Sequence, residues 1–573
     1  MKFFRHLLMM IFLSVAGFCN TSCEEVLIDE EITADTEETD KEDSEDKKDP
    51  EDDENSEEEE ENKDKDDKEE ENEEQEEEVK VKGGEFVLLF TNDFHSQIEP
   101  IDKRDSRDGD MGGIARIKAL VDSVRLAEPH VLLTDSGDMV EGTFYFNLYE
   151  GEVEMMILNE LGYDVRTLGN HDFSKKVVGL NEMLSMCNVP VVSTNYDYGN
   201  TVIAGYARKS MILKAGSVNV GFIGLNIDFD GLVDPEAHEG VTWRHAITVA
   251  DFEAERLRLQ GADIVIALSH IGLGSAISGN SDIAIANNTR HIDMILSGHT
   301  HTLPNERPVS TTNLDGRRII IGHAGSNGKY LGYAKIKISK EGVPTYEYKI
   351  FPITSRLDSK IDRDFADMIE NRYVSGTDVN DVIGYCPNTL YRSYNDESPY
   401  YMDHPLANMT TDALIWMAKK YHKVDADVSF YNTGGIRNII FNGDCKVKDI
   451  YHAFPFDNKL TTLSIKGNEL RKVFSNIAAK EGGLYVNGDV RLVISEKKVK
   501  SLTIKGEPID DDKTYVVSTI NYVANLAKNG MSHLPKTESE EYITRYFVEY
   551  FRHHAEENEG EISYKSDGRV KFE

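Results

Sequence analysis

Five short strand-like runs in this chain each stop at a cluster of carboxylate, imidazole or amide side chains, and this pattern constrains the fold more than any other feature. The run Glu85–Phe90 leads to Asp93 and His95, and His130–Thr134 leads to Asp135, Ser136, Gly137 and Asp138. Tyr163–Thr167 leads into LGNHDF at residues 168–173, Ile264–Leu268 into Ser269 and His270, and Met294–Leu296 into GHTH at residues 298–301. Short apolar runs bounded by glycine and polar loops are buried strands. Between them lie helix-like stretches, Gly113 followed by IARIKALVDSVRL and Ala250 followed by DFEAERLRLQ, so the expected class is α/β. In such sheets the strand ends share an edge, and loops converge there on a ligand. A packed core has no use for Asn170, His171 and Asp172 side by side, whereas a metal site does.

At 573 residues the chain exceeds what one core supports. Two domains are expected, residues 84–356 and the smaller 374–573, with a linker at 357–373 that should be helical. The formal charge is −40, yet residues 24–80 hold 34 Asp plus Glu against 7 Lys plus Arg, so −27 resides in that segment. It has too few apolar side chains to offset chain entropy and should be disordered, serving as an extended tether, a divalent-cation sponge or a plain spacer. The remainder is mildly acidic and has no Lys/Arg cluster, which argues against a nucleic-acid polymer as partner. Oligomeric state cannot be read from the sequence.

Residues 1–23 begin with Lys2 and Arg5, followed by an apolar run from Leu7 to about Phe18. That run is shorter than the roughly 20 residues a membrane span needs, and it reads as an export signal. Cys23 follows Thr21 and Ser22 and resembles the processing site of a bacterial lipoprotein, where the cysteine becomes the lipid-bearing terminus. Cleavage followed by periplasmic or secreted release is the alternative. Cys187, Cys386 and Cys445 remain in the body, with no CxxC pair. They are expected to be buried small apolar side chains, with one disulfide among the three as the other reading.

Each ligand pair alone is weak: a D-x-H triplet recurs by chance, and His270 alone reads as a satisfied core histidine. The pair His299 and His301 is better, because alternate residues of an extended segment face one way, and the joint occurrence of all the groups in this order and spacing is specific. With DxH, GD, GNHD, H and GHxH in succession, the sequence resembles a calcineurin-like metallophosphoesterase. The stretch from Gly137 to Phe173, the Asn432-Thr433-Gly434-Gly435-Ile436-Arg437 segment, Phe454-Pro455-Phe456 and the ending Ser566-Asp567-Gly568-Arg569-Val570 narrow the likeness to the 5'-nucleotidase and UDP-sugar hydrolase family.

That resemblance implies a four-layer α-β-β-α metallophosphoesterase domain followed by a smaller α/β substrate-binding domain. It implies two divalent ions, Zn, Mn, Fe or Co, whose bound hydroxide attacks the 5'-phosphate of a nucleotide. Asp93, His95 and His301 would hold the first ion, Asp138 would bridge, and Asn170, His270 and His299 would hold the second. His171 would donate to the phosphoryl or leaving-group oxygen, kept charged by a neighbouring carboxylate. Relatives commonly read GNHEFD; here Ser174 stands where that carboxylate belongs, so Asp172 or an acid elsewhere substitutes. In the second domain the resemblance points to Asn432, Gly434, Gly435 and Arg437 around the substrate, with Tyr522 as one base-stacking ring. Leu460 stands where the other ring is expected, and Phe456 is the nearest aromatic, with core packing its plainer reading. After Tyr522, Asn529-Gly530 keeps a turn but lacks the acid that binds ribose in relatives. A 2',3'-cyclic-nucleotide phosphodiesterase, a UDP-sugar hydrolase, another phosphomonoesterase, or a surface binding module without catalysis would share this sequence pattern.

Overall fold

The computed structural model describes residues 83–274, 279–303, 305, 307–392 and 402–573. The export signal, Cys23 and the acidic run at 24–80 lie outside the described residues. Five strands matter most for the site: β1 (Gly84–Thr91), β2 (Val131–Asp135), β3 (Val165–Arg166), β4 (Ile264–His270) and β5 (Met294–Ser297). The first three lie parallel in a seven-stranded sheet, and β4 and β5 lie parallel in a six-stranded one.

Both faces of these strands are buried, and side-chain alternation sorts them into layers. Phe86, Leu88 and Phe90 of β1 share the inter-sheet core with Ile264, Ile266 and Leu268 of β4. Val87 and Leu89 point the other way, into a core shared with Ile117, Val121 and Val124 of the helix Ile114–Ala127. Val265 and Ala267 of β4 face Ala250, Ala254 and Leu257 of the helix Ala246–Leu259. The result is helix, sheet, sheet, helix. The sheets pack closely where small residues permit: Gly332 lies opposite Phe90, and a Cβ there would come within 2.1 Å of the ring. A further strand of the six-stranded sheet, Val218–Asn226, ends at Asn226, whose side chain is fully buried and donates to Thr167 Oγ1 at 3.2 Å.

Residues 355–374 form successive helical turns, Ser355–Lys360, Arg363–Ile369 and Glu370–Val374. Their Leu357, Phe365, Ile369 and Tyr373 are buried in the core that continues into the second half. There β6 (Val428–Asn432), β7 (Lys459–Lys466) and β8 (Thr514–Ile520) belong to a five-stranded sheet, with β6 parallel and β7 antiparallel to β8. Cys386 and Cys445 are buried free thiols on paired strands, and Cys187 is a half-buried one.

One buried ion pair ties the first sheet to the loops above it. Arg166 at the end of β3 places Nη2 2.5 Å from Asp172 Oδ1, with both side chains essentially inaccessible. Asp172 Oδ2 also accepts from the backbone N–H groups of Gly169 at 2.7 Å and Asp138 at 3.2 Å. Removing one partner of such a pair leaves a buried charge uncompensated, so Asp172→Ala should lower stability by about 3–5 kcal/mol. Urea unfolding of the two proteins measures this, and an unchanged midpoint would refute the bracing role.

Candidate metal centre

The strand ends deliver their side chains to one point through strained backbone. Asp93, His95, Asp138, His299 and His301 all have positive φ, between 50° and 70°, a region that non-glycine residues seldom occupy without surrounding support. The support is visible. The backbone N–H of Asp93 donates to Gly137 O at 2.9 Å, and that of His95 to Asp138 O at 3.0 Å, so the loops after β1 and β2 brace each other. Asp282 receives the hydroxyls of Ser269 and Ser297, pinning the ends of β4 and β5 together; burial pushes its carboxyl up to about 7 despite both bonds. Gly169 has no Cβ because one would lie 2.1 Å from Asp138 Oδ1.

Three sets of ligand atoms each lie within 4.8 Å of one another: Asp93, His95 and His301; His95, Asp138 and His171; and Asp138, His270 and His299. His95 Nε2 is 2.9 Å from His301 Nε2, which is 3.3 Å from Asp93 Oδ1. His270 Nε2 is 2.9 Å from Asp138 Oδ2, and His299 Nδ1 is 3.0 Å from Asn170 Oδ1. The far nitrogens are engaged by backbone carbonyls, His95 Nδ1 with Glu141 O at 3.0 Å and His270 Nδ1 with Ser136 O at 2.8 Å. Donation from Nδ1 directs each Nε2 into the cluster, where a deprotonated Nε2 would offer the lone pair a metal ligand needs. Two carboxylates, four imidazoles and an amide oxygen suit a pair of divalent cations, and the donor set does not select among Zn, Mn, Fe and Co.

In the protein alone these groups pair with one another. Burial alone would raise Asp138, but the charges of His270 and His171 hold its carboxyl well below the usual range. Burial would lower His270, but Asp138 carries it up to about 10. A divalent cation held by His270 and Asp138 would compete with that proton, so its affinity would rise with pH.

His171 sits beside the cluster, its Nε2 4.0 Å from Asp138 Oδ2. Its expected carboxylate neighbour Asp172 is turned the other way, to Arg166, because successive side chains diverge and the buried guanidinium takes the charge. Glu141 occupies that place instead, with Oε2 2.5 Å from His171 Nδ1 and accepting from the Ser174 hydroxyl at 2.5 Å. A lone Glu three residues past Asp138 carries no pattern by which sequence could single it out.

A cavity of about 290 Å³ opens beside His171 and Asn170 and is lined from the second half by Asn432, Gly434, Arg437, Phe456 and Tyr522. Gly435 lies beneath it, packed on the Tyr431 ring where a Cβ would meet Cε1 at 2.6 Å. Phe456 is not a core residue: it is half-buried, its ring stacks over His171 at 5.9 Å and 18°, and the Arg437 guanidinium lies 5.7 Å from it. Leu460 is fully buried. The halves are clasped at this point by Lys175 Nζ, 2.6 Å from Asp457 Oδ2, and by Asn147 Nδ2 donating to Asp457 Oδ1 at 3.0 Å.

The family model for calcineurin-like phosphoesterases matches residues 86–303, and that for the 5'-nucleotidase C-terminal domain matches residues 382–534. A bovine 5'-nucleotidase is 27% identical over 481 residues, covering 76% of this chain and 82% of its own. The crystal structure of a 5'-nucleotidase precursor from Thermus thermophilus superposes with a TM-score of 0.73 at 23% identity, covering 85% of this chain and 99% of that one. The sulfate thiohydrolase SoxB of Thermus thermophilus shares the fold, with a TM-score of 0.63 at 19% identity over 85% of this chain and 97% of its own. This chain belongs to the 5'-nucleotidase family, a metal-dependent hydrolase fold with a calcineurin-like phosphoesterase domain ahead of the 5'-nucleotidase C-terminal domain.

Proposed function

We propose that this protein removes the 5'-phosphate of nucleotides outside the cytoplasm, held to the cell envelope by lipid at Cys23 with residues 24–80 as its tether. The observation that carries the reading is a cavity in which Asn170 of the ligand cluster and the adjacent His171 face Arg437, Asn432 and Tyr522. Asp93, His95 and His301 would hold one divalent ion and Asn170, His270 and His299 the other, with Asp138 within reach of both sets. When bound, such ions activate water and neutralise charge on the phosphoryl oxygens.

The chain's own residues do the rest. Arg437 engages phosphoryl oxygens through charge-assisted bonds. His171 presents Nε2 to the leaving oxygen; as the phosphorus–oxygen bond breaks, the Nε2 proton passes to that oxygen and the imidazole is left neutral. Tyr522 offers a face to the base, and Phe456 packs the ring of His171 against rotation. A second reading, cleavage of a phosphodiester or UDP-sugar, is favoured by another cavity of about 350 Å³ that borders His95 and His301 and shares Glu141 and Arg437 with the first. A substrate bearing groups on both sides of phosphorus would use both.

Phosphate release from AMP should vanish on chelation, return with Mn or Zn, and be lost again in Asn170→Ala. Turnover of 2',3'-cyclic nucleotide or UDP-sugar without AMP would move the assignment to the second reading, and silence on all three by folded, metal-loaded protein would favour a binding module. The interdomain clasp is tested by Lys175→Met, which strands the buried Asp457 carboxylate. We expect a stability loss of about 3–5 kcal/mol and a KM for AMP that rises more than kcat falls; unchanged values of both would refute the clasp.

A further inference from the structure

The family likeness leaves one catalytic requirement unfilled in this chain. A proton-donating His171 is kept charged by a carboxylate beside it, and the position where the family resemblance implies that carboxylate holds Ser174 here. Asp172 is committed to Arg166 and to two backbone N–H groups. Glu141 reaches His171 Nδ1 at 2.5 Å from a different loop. Its side chain is held by the Ser174 hydroxyl on the same Oε2 atom, and its backbone carbonyl is 3.0 Å from His95 Nδ1. It is 5% exposed and has φ of 67°, so the surrounding structure imposes a costly backbone conformation on a glutamate at this point. Among the described residues it belongs to none of the three ligand sets. With Nδ1 engaged and Phe456 against the ring face, His171 can turn only Nε2 toward the cluster.

We propose that Glu141 is the positioning residue for His171, replacing from the β2 loop the carboxylate absent at 174, while Ser174 acts as a buttress that aims it. The proposal rests on the phosphohydrolase reading above. Glu141 accepts the Nδ1–H and supplies the countercharge to the imidazolium, so that the Nε2 proton lies toward the leaving oxygen and its transfer leaves the neutral Nδ1–H imidazole. A purely structural glutamate would be replaced well by glutamine, which keeps the shape and an accepting oxygen. A positioning carboxylate would not.

The test uses the full-length, metal-loaded protein with two substrates: AMP, whose alkoxide leaving group needs a proton, and p-nitrophenyl phosphate, whose phenolate does not. Glu141→Gln should lower kcat for AMP on the order of 100-fold, leave KM within about twofold and metal content unchanged, and lower p-nitrophenyl phosphate turnover by less than about tenfold. The double variant Glu141→Gln with Ser174→Asp returns a carboxylate to the position used by relatives and should recover at least about tenfold in AMP turnover. In the metal-free proteins, a far-downfield imidazole N–H proton resonance should be present in wild type, absent in Glu141→Gln and restored in the double variant. Full AMP turnover in Glu141→Gln, or equal losses on both substrates without rescue, would overturn the proposal. A wild-type protein inactive on both substrates would instead overturn the phosphohydrolase reading, and the proton resonance would still decide whether Glu141 and His171 pair.

Discussion

Asp138 is the point on which the site depends. Its backbone carbonyl accepts from His95, its backbone N–H donates to Asp172, Oδ1 accepts from the His171 N–H at 2.8 Å, and Oδ2 meets His270. Loops from β1, β2 and β3 and the end of β4 are thus fixed against one residue, itself in left-handed backbone. Coordinating groups must converge within a few ångströms while their mutual repulsion pushes them apart, and only a rigid frame can hold them before a cation arrives. The two buried sheets provide it. The Arg166–Asp172 pair extends that frame into the GNHD turn, which explains why a carboxylate adjacent to a proton donor serves as bracing rather than as its partner.

The fold class was legible because burial on both strand faces leaves a strong apolar signature, and because polar residues at strand ends interrupt it abruptly. The converging ligand residues were legible for the same reason, since each lies within a few residues of a strand terminus and local sequence largely determines which loop it occupies. What depended on contacts distant in sequence was not. Glu141 lies thirty residues before His171, and nothing in GDMVEG distinguishes it from a solvated loop glutamate. Phe456 sits beside core residues in sequence, and an aromatic ring reads alike whether it faces a core or a cavity. Cys386 and Cys445 are neighbours only because their strands pair.

On the proposed function, substrate handling and proton transfer would be joined by a short piece of chain. Ser174 orients Glu141 on His171, and the next residue, Lys175, reaches across to Asp457, whose own neighbour Phe456 lies on the face of His171. Lys175 also lies 4.7 Å from the Tyr542 ring, so its ammonium is enclosed by the second half on more than one side. A shift of the second half relative to the first would break the buried ion pair and withdraw Phe456 in one movement. The imidazole would then lose its packing partner at the moment Arg437 and Tyr522 withdrew from the cavity. On the proposed function, arrival of the Arg437 and Tyr522 surface and packing of Phe456 on the His171 ring would therefore be one structural event in this chain. The contacts of Glu141 with His171 and Ser174 lie wholly within the first half, so the alignment of His171 that we propose for them does not depend on the clasp.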